Sequence, residues 1–352
     1  MGIGHAASPT ICAEMRMTYR FDPNDRTHGV RNCLGVIESL SAGYRFLGRR
    51  LELLLVPILL DLLFWLGPRL SIAPLFEQLS AFYLQAADVE GMPAEMTDMS
   101  QQMATLLQQT GESSNLLGVL ANSSLLHVPS LLATGISVGS NTVIELQSPF
   151  TALLLLFGFS LIGVLLGVIY INMLARILPL GDGPKPMRLE EFIATVTRHW
   201  LMVLLYALLL VVALVVGSIP IALIVTLLSL ISPVISSLLV MLLSGMMLVL
   251  FFYLYFVSAA LIMDNLPVHR AVMQSFVMVR NNFWATFGIV LLYNVITLGF
   301  AYLMASMATV TPIGTIVVIL IYAYIGSGLA MALLVFYRTR ILKQDEAIVT
   351  AA

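Results

Sequence analysis

Few residues in this chain are of a type and setting that do chemistry, and the most conspicuous is an aspartate. Asp61 lies inside LELLLVPILLDLLFWLGPRL, residues 51–70, where nearly everything around it is apolar. A carboxylate at the centre of a membrane span costs roughly 2.5–3.5 kcal/mol on insertion scales, so it needs a partner, a proton or a purpose. Three roles fit it. It is protonated and hydrogen-bonded to a polar residue such as Tyr293, Asn294 or a serine of span four; it lines a hydrated path and binds a proton or cation; or it pairs with a charge on another protein. A direct ion pair with Arg69 is awkward on helical geometry unless Gly67-Pro68 bends the chain.

The other constellations argue against familiar catalysis. His5, His28, His127, His199 and His269 are scattered, none is mid-span, and H-E-x-x-H is missing. IGSG at 325–328 is like an intramembrane serine site, but Ile325 stands where glycine is wanted and no mid-span histidine is available to activate Ser327. Gly326 and Gly328, and the pair Gly163 and Gly167, read instead as close helix packing. Glu190-Glu191 suggests paired catalytic glutamates, yet Thr195 replaces the arginine such a site requires; negative charge at a helix start is the simpler reading. Met92, Met96, Met99 and Met103 form a stripe with the softness to hold Cu(I), but methionine is also ordinary apolar filler, so no metal and no cofactor is expected. A polar group on the cytoplasmic face is formed by Asp264, Asn265, Arg280 and Arg198. A lipid-acting enzyme would need Asp264, Arg280 and Glu190 or Glu191 to converge.

These residues must be positioned by membrane helices. Of 352 residues, 59% are hydrophobic and 10% charged, with a mean hydropathy of +0.97, against about 25% charged in a soluble domain. The net charge of −2 and the lack of basic blocks exclude nucleic acid as a partner. Six stretches suit crossing: 51–67, 149–175, 200–229, 232–263, 284–307 and 313–337. LSLISPVISS supplies the turn between the third and fourth, and SMATVTPIG divides the fifth from the sixth.

Lys and Arg orient the spans. Arg45, Arg49 and Arg50 precede the first; Arg176, Lys185, Arg188 and Arg198 lie between the second and third; Arg270 and Arg280 lie between the fourth and fifth; Arg338, Arg340 and Lys343 follow the sixth. From Leu70 to Ala175 there is no Lys or Arg. Both ends are therefore expected in the cytoplasm, with residues 72–148 outside. That insert carries Glu77, Asp88, Glu90, Glu95, Asp98, Glu112 and Glu145, and a helix is predicted within it from Pro93 to near Gly111. The N-terminal arm has no apolar leader, Ala6 excludes a myristoylation site, a start at Met15 or Met17 fits as well as Met1, and Cys12 and Cys33 are expected as free cytoplasmic thiols.

A threefold pattern underlies the spans. Amphipathic stripes precede three entry points: Ile37, Leu40, Tyr44 and Leu47; Leu189, Phe192, Ile193 and Val196; and Val268, Ala271, Val272, Phe276 and Val279. They end alike in RRL, RHW and NNF, which predicts three copies of an in-plane helix followed by a membrane hairpin. The resulting divisions are 1–33 (arm), 34–71 (in-plane helix and span one), 72–148 (external helical insert), 149–178 (span two), 179–264 (in-plane helix and spans three and four), 265–338 (in-plane helix and spans five and six) and 339–352 (tail).

LIMDNLPVHRAVMQSFVMVRNNFWATFGIVLL carries a resemblance through Asp264-Asn265, Ala271, Ser275 and the run Arg280 to Trp284. It is similar to a loose group of bacterial six-span proteins that includes the membrane domain associated with glycerophosphodiester phosphodiesterases, over roughly residues 188–340. The soluble catalytic barrel of those enzymes has no counterpart here, so the resemblance implies the fold and not the activity. The expectation is an all-α, six-span, non-catalytic membrane protein acting as a scaffold, an assembly partner or a lipid-contacting module, with membrane lipids and a membrane protein as partners. The alternative is a small proton- or ion-coupled carrier using Asp61.

Overall fold

A computed structural model describes residues 35–87, 94–123, 126–134, 142–178, 188–308 and 311–351. Five of its helical segments are long and apolar enough to cross a membrane: Pro149–Ile177, Leu189–Ile231, Pro233–Met263, Phe283–Met304 and Pro312–Lys343. The protein is thus an all-α multi-pass membrane protein, as a lipid environment demands of a chain whose backbone groups must be satisfied within each segment. In chain order the helices are α1 (Val36–Gly48), α2 (Leu55–Leu66), α3 (Ala73–Ala87), α4 (Ala94–Ser113), α5 (Pro149–Ile177), α6 (Leu189–Ile231), α7 (Pro233–Tyr253), α8 (Val257–Met263), α9 (Val268–Asn281), α10 (Phe283–Ala308) and α11 (Pro312–Ala351). The chain divides into two compact units: unit 1 is Met1–Arg49, Ile171–Leu292 and Leu329–Ala352, and unit 2 is Arg50–Tyr170 and Tyr293–Gly328.

In unit 1 the turn predicted in LSLISPVISS lies at Ser232. Pro233 opens α7, and the Ser232 hydroxyl accepts the Ile235 N–H, a capping arrangement that suits proline's missing donor. The second in-plane helix does not stand apart. Leu189 to Ile231 is one helix of 43 residues, about 65 Å long. No Gly or Pro lies between Leu189 and Trp200 to stop it, and a basic amphipathic stripe by itself carries no stop signal. The first stripe does form the separate helix α1, with its buried side rotated to Ser39, Gly43 and Leu47 and with Ile37 exposed. The third forms α9, which buries Ala271, Ser275, Met278 and Val279 and leaves Phe276 exposed.

Ser275 explains the break between α7 and α8. Interrupting a helix orphans a carbonyl and an N–H, and a hydroxyl is the one small side chain able to serve both. Its Oγ donates to the Tyr253 carbonyl at 2.7 Å and accepts the Phe256 N–H at 3.3 Å. Tyr253 stacks on Phe276 with centroids 4.7 Å apart, and Phe256 on Tyr337 at 5.8 Å. Ser275→Ala leaves both backbone groups unpaired, and a stability loss of about 1–3 kcal/mol is expected, measured by equilibrium unfolding in bicelles. A loss indistinguishable from zero would show that the break does not need this hydroxyl.

Unit 2 begins with a 3-10 turn, Leu51–Leu54, that leads into α2. Strand β1 (Arg69–Ser71) pairs in parallel with β4 (Val143–Glu145), closing the two ends of the insert on each other. Between them α3 and α4 form a helical hairpin, and α4 matches the helix predicted from Pro93. Arg69 donates through Nε to the Ser114 carbonyl at 3.1 Å and through its terminal nitrogen to the Glu112 carbonyl. A cation at a helix C-terminus satisfies orphan carbonyls and the dipole together. A 3-10 turn Leu116–Leu120, the hairpin of β2 (Asn122–Ser123) and β3 (Leu126–His127), and a last 3-10 turn Leu132–Thr134 complete the insert. This last stretch is the core of the unit: Leu116, Leu120, Ala121, Leu126, Val128, Leu131 and Leu132 are all buried.

Candidate functional site

Asp61 lies on the buried face of α2 with Pro57, Leu60 and Phe64, and its own exposure is 0%. Its carboxylate is met by the far end of the insert. The Ser130 hydroxyl donates to Oδ1 at 2.5 Å, the Leu132 N–H donates to Oδ1 at 3.1 Å, and the Leu131 N–H donates to Oδ2 at 3.2 Å. The Ser130 oxygen in turn accepts the Ala133 N–H at 3.1 Å. Asp61 and Ser130 together cap the short turn Leu132–Thr134, doing from a distance what an N-cap side chain does within its own helix. Tyr293, Asn294 and the serines of span four, the partners expected from sequence, do not supply these bonds; the donors come from Ser130 and the backbone beyond it.

The glycines read as packing sites define where that segment sits. A Cβ on Gly163 would meet the Val119 carbonyl oxygen at 2.8 Å and the Leu120 carbonyl oxygen at 3.0 Å. One on Gly167 would meet the Leu126 Cβ at 2.6 Å, and one on Gly326 the Pro129 Cβ at 2.3 Å. Gly328 is buried. The close approach at these three glycines is therefore by the insert, not by another long helix. Gly163 and Gly167 lie in the middle of α5 and Gly326 in the middle of α11, so residues 116–134 reach the mid-length of both. A hint was present in the sequence. NLLGVLANSSLLHVPSLLATG is far too apolar for a wholly solvated loop, and its lone Pro-Ser step is the point that meets Asp61.

Around this segment are further buried hydroxyls. Tyr170 donates to the Ser327 oxygen at 2.8 Å, and both are 0% exposed. The Tyr322 hydroxyl is buried, with no hydrogen-bond partner among the described residues. Ser327 of the IGSG stretch is thus committed to a tyrosine.

A second polar cluster lies in unit 1. Asp264 and Asn265 end α8: Asn265 has φ 52°, the left-handed conformation that asparagine tolerates at a helix end, and Pro267 follows where the helix has stopped. The Asp264 carboxylate accepts from Arg338 at 2.6 Å, from the Tyr337 hydroxyl at 2.5 Å and from Gln274 Nε2 at 2.9 Å. The cation beside it is Arg338, whereas Arg280 and Arg198 are exposed and make no ion pair with it among the described residues. Charge type alone does not tell which of several arginines lies nearest. His199 is buried and its Nδ1 is 3.0 Å from Asn172 Oδ1. Glu190 and Glu191 lie in the exposed first turn of α6. Of the methionine stripe, Met92 falls outside the described residues, as does the Met96 side chain; Met99 and Met103 are exposed on α4. Comparison of the chain with known protein families, curated proteins and solved structures finds no match.

Proposed function

We propose that this chain is a non-catalytic multi-pass module of a bacterial inner membrane, serving as a scaffold, assembly partner or lipid-contacting unit. The observation that carries the reading is the hairpin of α6 and α7. No residue in the most apolar window of α6 is buried, and only 6% of that of the fourth span is. Leu208, Val216, Leu223 and Leu230 are between 60% and 79% exposed, and so are Val212 and Ile219 at 49% and 59%. A helix apolar on all sides and nowhere more than half-buried over its most apolar stretch must be covered by lipid or by another membrane protein.

In this reading the 3-10 turn and α2 together make the sixth crossing, about 26 Å along the axis. Both termini are cytoplasmic, following the distribution of Lys and Arg. Residues 72–115 stand outside, and residues 116–134 re-enter the bilayer, where irregular backbone is tolerated because protein surrounds it. A threefold pattern of amphipathic stretch and hairpin, its second stretch continuous with the span it precedes, and the likeness of residues 188–340 to the membrane domain associated with glycerophosphodiester phosphodiesterases, belong to the same proposal.

Native mass spectrometry from lipid nanodiscs tests it, with wild type beside a variant carrying Val216→Trp and Leu223→Trp. The expected result is a stoichiometric membrane-protein partner or retained phospholipids in the wild type, depleted in the variant. Emergence of both chains alone, or with identical lipids, would overturn it. The carrier reading draws support from the full burial of the ionisable Asp61; it predicts substrate-driven charge movement on a solid-supported membrane, lost in Asp61→Asn.

A further inference from the structure

We propose that the helical hairpin of α3 and α4 lies along the membrane surface, its apolar flank sunk into the leaflet at the Pro149 end of α5, the outer leaflet in the orientation above. This surface is not the one that carries the proposed function, and its placement rests only on the chain's crossing a membrane.

The two helices meet along small and polar residues. A Cβ on Gly111 would lie 2.9 Å from the Phe76 Cβ and 3.2 Å from the Ala73 Cα. Gln108 donates to the Ser80 hydroxyl at 3.4 Å, and Ser80 and Ala104 are both buried. These contacts run antiparallel and fix which side of each helix is occupied. At about 100° per residue, Leu75, Leu79 and Phe82 fall within an arc of about 60° on α3, some 100° behind the contact side. Met99, Met103 and Leu106 fall within a similar arc on α4, some 120° behind it. In an antiparallel pair, arcs displaced in the same sense from the contact lie on the same flank. Apart from the half-buried Leu75 these side chains are exposed, Phe82 at 64% and Met99 at 62%. Among the described residues, Leu84 is the one other large apolar side chain exposed on the two helices. The opposite flank of α4 presents Asp98, Gln101, Thr105, Gln109 and Glu112, all exposed, and α3 adds Glu77 to that side.

Where the hairpin is rooted says what covers that flank. Val119 and Leu120 meet Gly163, which lies about 21 Å along α5 from Pro149. Most of the chain between Ser113, the end of α4, and Leu120 is a 3-10 turn, so Ser113 stands within about 20 Å of that level. The root is therefore no farther out than the start of α5. At the other end of the hairpin, β1 runs into α3 while paired with β4, which stops just short of Pro149. Phe150, Leu153 and Phe157 are exposed, so lipid begins at the first turns of α5. Both ends of the hairpin are thus held at the edge of the hydrocarbon. Leu75 and Leu106 lie near the root and Phe82 and Met99 near the tip, so the apolar flank runs the full length and needs a cover equally long. The leaflet around α5 is such a cover, and an amphipathic element at a bilayer edge lies in the interface plane. A second copy is disfavoured by charge: residues 72–115 carry six Asp or Glu and no Lys or Arg, so pairing two hairpins sets like charge against like. The same acids favour zwitterionic over anionic headgroups.

The test uses the full chain with Cys12→Ser and Cys33→Ser, in phosphatidylcholine nanodiscs holding one chain each. A nitroxide is attached in turn at Phe82→Cys and Leu106→Cys on the apolar flank, at Gln101→Cys and Gln109→Cys on the polar one, and at Phe157→Cys in α5. All five positions are exposed, so the label displaces no packing. Power-saturation spectra compare collision with oxygen, which concentrates in lipid, against collision with a water-soluble nickel chelate. The expected oxygen-to-nickel ratio at positions 82 and 106 is several-fold above that at 101 and 109, and approaches that at 157. Equal nickel access at 82, 101, 106 and 109 would leave the apolar flank in water, free for a second copy or another protein, and would overturn the proposal. Shielding of 82 and 106 from both reagents would place the flank against protein, and would overturn it too. The label at 157 tells these failures from a wrong membrane reading: it reports lipid wherever the hairpin lies, and nickel access there would overturn the crossing itself together with the placement.

Discussion

Replacing Asp61 with alanine is expected to cost about 3–5 kcal/mol of stability, among the largest losses any single substitution in this chain would produce. The carboxylate itself is not what is lost; its three donors are what remain. The Ser130 hydroxyl and the N–H groups of Leu131 and Leu132 would stay buried with nothing to bond. Asp61→Asn keeps an acceptor oxygen and should lose less. Ser130→Ala removes one donor together with its need for a partner, so the double variant Asp61→Ala, Ser130→Ala should lose less than the two single losses added. Equilibrium unfolding in bicelles, followed by far-ultraviolet circular dichroism, gives all four values. If Asp61→Ala costs under about 1 kcal/mol, the carboxylate does not hold the insert.

A second large effect is expected from Gly326→Val. A Cβ there would lie 2.3 Å from the Pro129 Cβ and 3.0 Å from its Cγ, and neither a proline ring nor a β-branched side chain in a helix has a second conformation to offer. The helix cannot move away, so the segment around Pro129 must lift. If overpacking costs the docked state about 2 kcal/mol, the undocked population rises roughly thirtyfold. Val128, buried at 0% exposure, is the reporter: as Val128→Cys, with Cys12→Ser and Cys33→Ser, it should react with a membrane-impermeant maleimide about thirty times faster when Gly326→Val is present. Gly158→Val and Gly299→Val are the controls, since a Cβ at either meets nothing within 4 Å. Equal labelling rates in all four backgrounds would show that the segment is not seated on Gly326.

How much of this was legible beforehand depended on the range of the signal. Hydropathy and punctuation are local, and they place the five long apolar helices, the turn at Ser232-Pro233 and the insert helix α4 close to where they lie. The end of α8 is legible for the same reason, because Asp264, Asn265 and Pro267 spell a helix stop within four residues. The partners of Asp61 were not. Ser130 is 69 residues away, across an insert in which Glu77, Asp98, Glu112 and Glu145 are exposed, and no local rule links a carboxylate in one apolar run to a Pro-Ser step in another. The glycines illustrate the half-way case. Their role in close packing follows from size alone, but size does not say that the surface pressed against them is a loop. The continuity of α6 was hidden by the opposite problem: its amphipathic start is a real local signal, and only the absence of a stop after it tells that the helix goes on.

That continuity has a mechanical consequence. Up to Pro220, where the hydrogen-bond ladder loses a donor, α6 is a rod of about 47 Å in a hydrocarbon layer of about 30 Å, and it responds to a change in layer thickness by tilting as a whole. Because nothing between Leu189 and Trp200 interrupts the helix, its leading turns do not rest independently on the membrane surface but swing with the span. Pivoting by about 20° about the midpoint of that stretch carries the Leu189 end sideways by about 8 Å. The helix is a lever, and its short arm, bearing Glu190, Glu191 and Arg198, converts bilayer thickness into the position of a charged tip.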